Sequence, residues 1–289
     1  MNYFSHLINQ FSDYFNVKYT TKAEALLAVK KNGTQLQHAS IALKNDREVV
    51  MAAVEKNGWA LAFASDALKA DREVVMAVVT QDGIPLQFAS DVLKTDREVV
   101  MAAVKENGYM LKHASIELKN DREVAMAAVK ENGFALKYAS EALRADANFV
   151  MTAVKENGYA LQYASEALRA DRELVMVALK HNLHTLVYAS EALRANREFV
   201  MAAVEKSGYA LQYASDELRS DRELVLAAVK KNCWALQFAS EELKADREVV
   251  MAAVPEGEYE NGFRYASEAL RANPEGVLAV VRVNGEALR

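Results

Sequence analysis

An Ala-Ser pair recurs every 25 residues without drift, ending at Ser40, Ser65, Ser90, Ser115, Ser140, Ser165, Ser190, Ser215 and Ser240. A strict period of this length makes each unit a small supersecondary structure that cannot bury its own apolar face, so stability comes from stacking on neighbours. The same spacing carries Asp46, Asp71, Asp96, Asp121, Asp146, Asp171, Asn196, Asp221 and Asp246, in most units followed by Arg-Glu. A composite unit reads DREVVMAAVKENGYALQYASEALRA.

Each unit contains two helical patterns. The Asp46 carboxylate is placed to accept hydrogen bonds from the free N–H groups of the following turn, and Asn57-Gly58 supplies a stop. These signals predict a first helix over 47–56, with the same capping role for Asp71, Asp96, Asp121, Asp171, Asp221 and Asp246. Val49, Val50, Met51, Ala52, Ala53 and Val54 leave no polar face across its middle, which implies burial between the second helix and both neighbouring repeats. The second helix is predicted over 59–69, where Leu61, Ala64, Ser65 and Leu68 fall at i, i+3, i+4 and i+7. In that helix the small Ala-Ser pair admits close neighbours, and the serine hydroxyl bonds back to a carbonyl of its own helix.

Tyr3 to Phe15 lies outside the period, yet Phe4, Leu7, Ile8, Phe11 and Phe15 form one helical stripe. Residues 1–20 therefore read as an N-terminal capping helix over the first open repeat. From residue 21 to 289 the expectation is a continuous array of about ten two-helix repeats, irregular at 255–262 and ending inside a repeat. The fold expected is all-α: an α-solenoid, or superhelix, of tandem 25-residue helix-turn-helix repeats. Its uncapped C-terminal end offers a surface for self-association.

Composition narrows the function classes. A chain of 289 residues with 3 Pro and 11 Gly favours helices, and its single cysteine, Cys233, excludes an intramolecular disulfide. Net charge −5 gives no long-range attraction to nucleic acid or anionic lipid, so nucleic acid is not the expected partner. Apolar runs such as Val49 to Val54 fall far short of the roughly 20 residues of a membrane span, and no signal peptide or membrane insertion is expected.

The search for chemistry returns no catalytic, cofactor or metal residues. His181 and His184 straddle a turn without a companion ligand cluster, and Cys233 lacks a histidine within its repeat to act as base. Asp46-type acids have a capping duty, and equal environments in every repeat cannot tune one acid apart. Two ladders remain. A basic residue closes each second helix, among them Lys69, Lys94, Lys119, Arg144, Arg169, Arg194 and Arg219. Cations suit helix C-termini, and Asp66, Asp91, Glu141 and Glu166 stand three residues earlier to neutralise four of them. An aromatic row follows the first turn, including Trp59, Tyr109, Tyr159, Tyr209 and Trp234, and a second row contains Phe63, Phe88, Tyr138, Tyr163 and Tyr213. One row is expected in the core; tyrosines with a wet edge also serve as anchors at interfaces. These two ladders form the candidate binding surface.

The motif DREVVxAAVxxNGxALxYASxxLK, closely matched from Asp121 to Arg144, resembles a tandem repeat family of unknown function found in intracellular bacteria and protists. The resemblance implies a fold and no transferable activity or cofactor. It points to a host-interacting bacterial protein, cytoplasmic or delivered to a host cytosol. The expected role is a non-enzymatic protein-binding or scaffolding solenoid whose partner is a protein or extended peptide. A polyanion binder using the basic ladder, and a structural spacer within a larger assembly, are the alternatives.

Overall fold

One repeat consists of a ten-residue α-helix, a six-residue 3₁₀ segment and a four-residue α-helix, as in Arg47–Lys56, Gly58–Phe63 and Asp66–Lys69. The computed structural model describes residues 17–254 and 262–283, and the chain divides into two units, Met1–Glu156 and Asn157–Arg289. Within each unit the repeats stack as an all-α tandem repeat solenoid, without a β-strand among the described residues. The capping helix expected over residues 1–20 falls mostly on residues 1–16, outside the described residues. So do most of the irregular stretch and the C-terminal end.

The long helix starts at Asp46, whose Oδ1 accepts from the N–H groups of Glu48 at 3.0 Å and Val49 at 3.2 Å. Asn57 then turns extended, and its side chain accepts from the Trp59 N–H at 2.9 Å, which opens the 3₁₀ segment. Ala64 and Ser65 are extended, and the Ser65 hydroxyl accepts from the Leu68 N–H at 3.4 Å to start the short helix.

The segment 59–69 is therefore not one helix. A serine followed by an acid forms a better N-terminus than helix interior, because its hydroxyl satisfies a free N–H and the acid meets the positive end of the new helix. The serine hydroxyl accepts at a cap; it does not bond back to a carbonyl in its own helix. Its backbone N–H leaves the repeat altogether. Ser65 donates to the Lys44 carbonyl at 2.9 Å, Ser90 to Lys69 at 2.9 Å, and Ser240 to Arg219 at 2.9 Å, each reaching back to the end of the preceding short helix. Ser267 makes the same bond to Lys244 at 2.9 Å although this pair stands further apart in the sequence, so the irregularity at 255–262 is absorbed without loss of pairing. At the other end, Ser40 donates to the Tyr19 carbonyl at 3.0 Å, which puts Tyr19 in the place of a preceding repeat.

The turn glycine also differs from its sequence reading. The residue closing the helix is extended Asn57, at φ −156°, and no left-handed cap is formed. Glycine here serves close approach between repeats: a Cβ on Gly108 would lie 2.3 Å from the Ala128 carbonyl oxygen, and one on Gly208 2.3 Å from that of Ala228, whereas Leu183 and Cys233 take the same position in two other repeats.

The long helices pack side by side as one layer and the 3₁₀ segments line the other. Val99, Val100, Ala103 and Val104 of helix Arg97–Glu106 are buried against Met110 and Leu111 of the 3₁₀ segment, with Leu118 closing the short helix. Burial of such side chains supplies roughly 1.5–3 kcal/mol each, which offsets the chain entropy of ordering short elements. The long helix is not buried all round, as its apolar middle suggested. Val49, Val50, Ala53 and Val54 face inward, whereas Met51 and Ala52 are half-buried and Glu48 and Glu55 exposed. A single layer has a far side, and nothing in the described residues covers it. No helix among the described residues is long and apolar enough to cross a membrane.

Candidate binding surfaces

The Asp-Arg-Glu triplet joins successive repeats. Arg97 Nε lies 2.8 Å from Asp121 Oδ2, and the other arm of its guanidinium meets Glu123. Arg72 approaches Asp96 at 2.9 Å, Arg197 approaches Asp221 at 2.7 Å, and Lys22 opens the ladder on Asp46 at 2.9 Å. In these pairs the capping carboxylate gives one oxygen to its own helix and the other to the neighbouring cation. Hydrogen bonding to Arg97 is the chief cause holding the Asp121 carboxyl below the usual carboxylate range; Lys22 does this for Asp46 and Arg122 for Asp146. Asp71 and Asp246 cap in the same way, paired with Arg47 and Arg222. None of these shifts favours a protonated acid of the kind general acid catalysis uses.

In each unit the far side of the long-helix layer carries a row of half-buried residues one repeat apart: Met51, Met76, Met101, Met126 and Met151 in the first, and Met176, Met201, Leu226 and Met251 in the second. Between helices Arg97–Glu106 and Arg122–Glu131 the row opens into a groove of about 740 Å³. Met101, Met126 and Ala127 form its floor, Arg122 and Glu123 one end, and Lys105, Lys130 and Glu131 the other. A smaller hollow of about 320 Å³ adjoins it, lined by Thr80, Met101 and Ala102 among others. The sequence reading placed the methionines in the core. Their true position was signalled by Glu48, Met51, Ala52 and Glu55, which fall at i, i+3, i+4 and i+7 and so share a face with two charges.

The two aromatic rows form one structure, and neither is core, because the inward positions of the 3₁₀ segment belong to Ala60 and Leu61. Four first-row rings each meet a second-row ring of the next repeat edge to face. Trp59 pairs with Phe88 at 5.5 Å, Tyr109 with Tyr138 at 6.1 Å, Tyr159 with Tyr188 at 6.4 Å, and Tyr209 with Phe238 at 5.9 Å. Trp59 and Tyr109 remain 47% and 40% exposed, while Tyr159, Tyr209 and Trp234 are half-buried.

The basic ladder is compensated in part. Lys69 meets Asp66 at 3.8 Å, Lys94 meets Asp91 at 3.2 Å, Arg144 meets Glu141 at 3.8 Å, and Arg219 pairs with Asp216. Nε of Arg144, Arg169 and Arg194 is enclosed without a hydrogen-bond partner. Lys119 and Lys44 differ, because Ile116 and Ile41 stand where the other short helices carry an acid.

His181 and His184 do not converge. His181 is exposed at the end of its helix, and His184 turns its Nδ1 to the Tyr213 hydroxyl in the next repeat, where burial raises the phenol above its ordinary value. Cys233 opens the 3₁₀ segment Cys233–Phe238, half-buried. No group of three His, Cys, Asp or Glu side chains among the described residues could hold a metal ion.

Comparison with curated proteins and with solved structures finds no match for the chain. A family model described as a domain of unknown function, DUF4116, matches residues 25–69, 71–119, 96–144, 146–194, 171–219, 196–244 and 221–254. Successive matches advance by one or two of the 25-residue repeats and together cover most of the sequence, so the chain belongs to the DUF4116 family of helical tandem repeats.

Proposed function

We propose that this chain is a non-enzymatic, protein-binding repeat module that receives a peptide segment on the far side of its long-helix layer. The observation that carries the reading is the groove over Met101 and Met126, about 740 Å³ in volume. Methionine is unbranched and polarizable, so a floor of methionines adapts to varied apolar side chains. Charged rims of both signs then select among polar flanks. Pairing of Lys69, Lys94, Arg144, Arg219 and Lys244 with carboxylates of their own helices favours a protein ligand over a nucleic acid, since a polyanion needs unpaired cations along one face. The resemblance of the repeat motif extends the proposal to partners inside a host cell.

Selection of peptides from a display library on the full chain, followed by calorimetric titration of those enriched, tests the reading. Met101→Glu with Met126→Glu should weaken the enriched peptides by about tenfold or more at unchanged helical circular dichroism. Enrichment of no peptide, or of peptides indifferent to both substitutions, would overturn it.

A further inference from the structure

Two repeats share three departures that no other repeat shows. His38, Ile41 and Asn45 occupy positions held elsewhere by Phe or Tyr, by Asp or Glu, and by Ala, Ser or Thr; His113, Ile116 and Asn120 do the same three repeats later. Independent drift does not favour three coincident changes in the same two units.

The second set is the more fully defined. Ile116 is 81% exposed, an unusual position for a large apolar side chain, and it takes away the carboxylate that pairs with the closing cation in other repeats. Lys119 has no ion pair among the described residues. The Ser115 N–H donates to the Lys94 carbonyl at 3.1 Å, so the start of helix Ile116–Asn120 sits against the preceding repeat. At its far end Asn120 Oδ1 accepts from the Ser140 hydroxyl at 2.7 Å, which pins the helix to the following repeat. Asn45 and Ser65 make the matching bond at 2.7 Å in the first set.

His113 closes the adjoining 3₁₀ segment Gly108–His113, half-buried. Burial first, then the charges of Lys112, Lys94 and Lys119, hold its imidazole below the ordinary histidine value. Lys94 is paired with Asp91 at 3.2 Å, so Lys112 and Lys119 beside the imidazole supply the positive charge of this patch on a chain of net charge −5. The nearest opposing acid on the short helix is Glu117, whose carboxyl is engaged by its own backbone N–H and the Ser115 hydroxyl.

We propose that His113, Ile116 and Lys119, with Lys112, form a second binding site, which takes an acidic peptide bearing an aliphatic side chain. The aliphatic group covers Ile116 while a peptide carboxylate is received by Lys119 and Lys112, with His113 as hydrogen-bond donor. Pinning of the helix at both ends holds the patch in place before a ligand arrives, which lowers the ordering cost of binding. An acidic peptide fits better than a nucleic acid, because a dense polyanion would meet Glu117 and leave Ile116 uncovered. The site lies on the short-helix side of the core, away from the methionine groove, and does not rest on it.

The test is fluorescence anisotropy with the full chain and a labelled peptide of alternating glutamate and leucine, beside the same peptide with glycine for leucine and a single-stranded RNA. Ile116→Glu restores the residue type of the other repeats, so it should fold normally while weakening the leucine peptide about tenfold or more. Tyr138→His with Glu141→Ile should add binding in the next repeat, and Met101→Glu with Met126→Glu should leave the affinity unchanged. The proposal is overturned by absence of peptide binding, by an affinity indifferent to Ile116→Glu, or by RNA binding more tightly through the same residues. In any of these cases the paired departures record only the duplication of a three-repeat block.

Discussion

Replacing Asp121 separates the two jobs of a capping carboxylate. Asp121→Ala removes the acceptor for the N–H groups of Glu123 at 2.9 Å and Val124 at 3.1 Å, and also the partner of Arg97 at 2.8 Å. Loss of such a cap costs about 0.5–2 kcal/mol. Asp121→Asn keeps an acceptor on the same stem and removes only the charge. Asn196 shows that the amide works, since its Oδ1 accepts from the Phe199 N–H at 2.9 Å. The guanidinium is largely in solvent, where an ion pair is screened and contributes less than a cap. Urea denaturation of the full chain should therefore show Asp121→Asn costing less than half of Asp121→Ala. Arg97→Gln should match the asparagine variant and add little to it in the double mutant. High salt should shrink the asparagine and glutamine effects and leave most of the alanine effect, because salt screens the pair but not the cap. If Asp121→Asn costs as much as Asp121→Ala, or the pair shows no coupling at low salt, the triplet does not act as an inter-repeat clasp.

Three further outcomes follow from the same geometry. Gly108→Ala, often stabilising where backbone allows it, should here destabilise by about 1–3 kcal/mol in thermal melts, because the new methyl meets the Ala128 carbonyl oxygen. Leu111→Ala should cost about 2–5 kcal/mol by the same measurement, since Leu111 is fully buried in the first unit. The lowered carboxyls of Asp46, Asp121 and Asp146 give stability that is fully present above the unfolded Asp value of about 3.9 and lost as pH falls through the lower folded values. Acid titration followed by circular dichroism should show unfolding in that window, and charge-neutral variants at these three positions should flatten it.

The period, the helical class and the long helix were legible because they follow from local rules: an acid where free N–H groups need an acceptor, a turn at fixed offset, and apolar residues that fit only a shared core. The broken second segment was not legible, because Leu61, Ala64, Ser65 and Leu68 satisfy a helical stripe whether or not the chain pauses at serine. Choosing between the readings needs the partner of the serine N–H, a carbonyl in the preceding repeat that no local pattern reveals. The methionine row failed for a related reason. An apolar run of six residues looks the same when enclosed and when one side lacks a covering layer, and only the exposed Glu48 and Glu55 beside Met51 tell the two apart.

A repeated surface carries a further consequence for recognition. Where each unit presents the same clasp, the same ring pair and the same apolar knob, a partner gains equally in any register along the array, so the regular face supplies affinity without fixing position. Specificity is a difference between registers, and a difference exists only where a repeat departs from the others. Most departures here, such as Cys233 or Leu183, stand alone, and each changes one packing contact. The change shared by His38, Ile41 and Asn45 and by His113, Ile116 and Asn120 is different in kind, because it removes a charge, exposes an aliphatic side chain and fixes the helix that bears it. A binding partner that needs a defined place along the first unit therefore has a physical reason to find it at one of these two repeats.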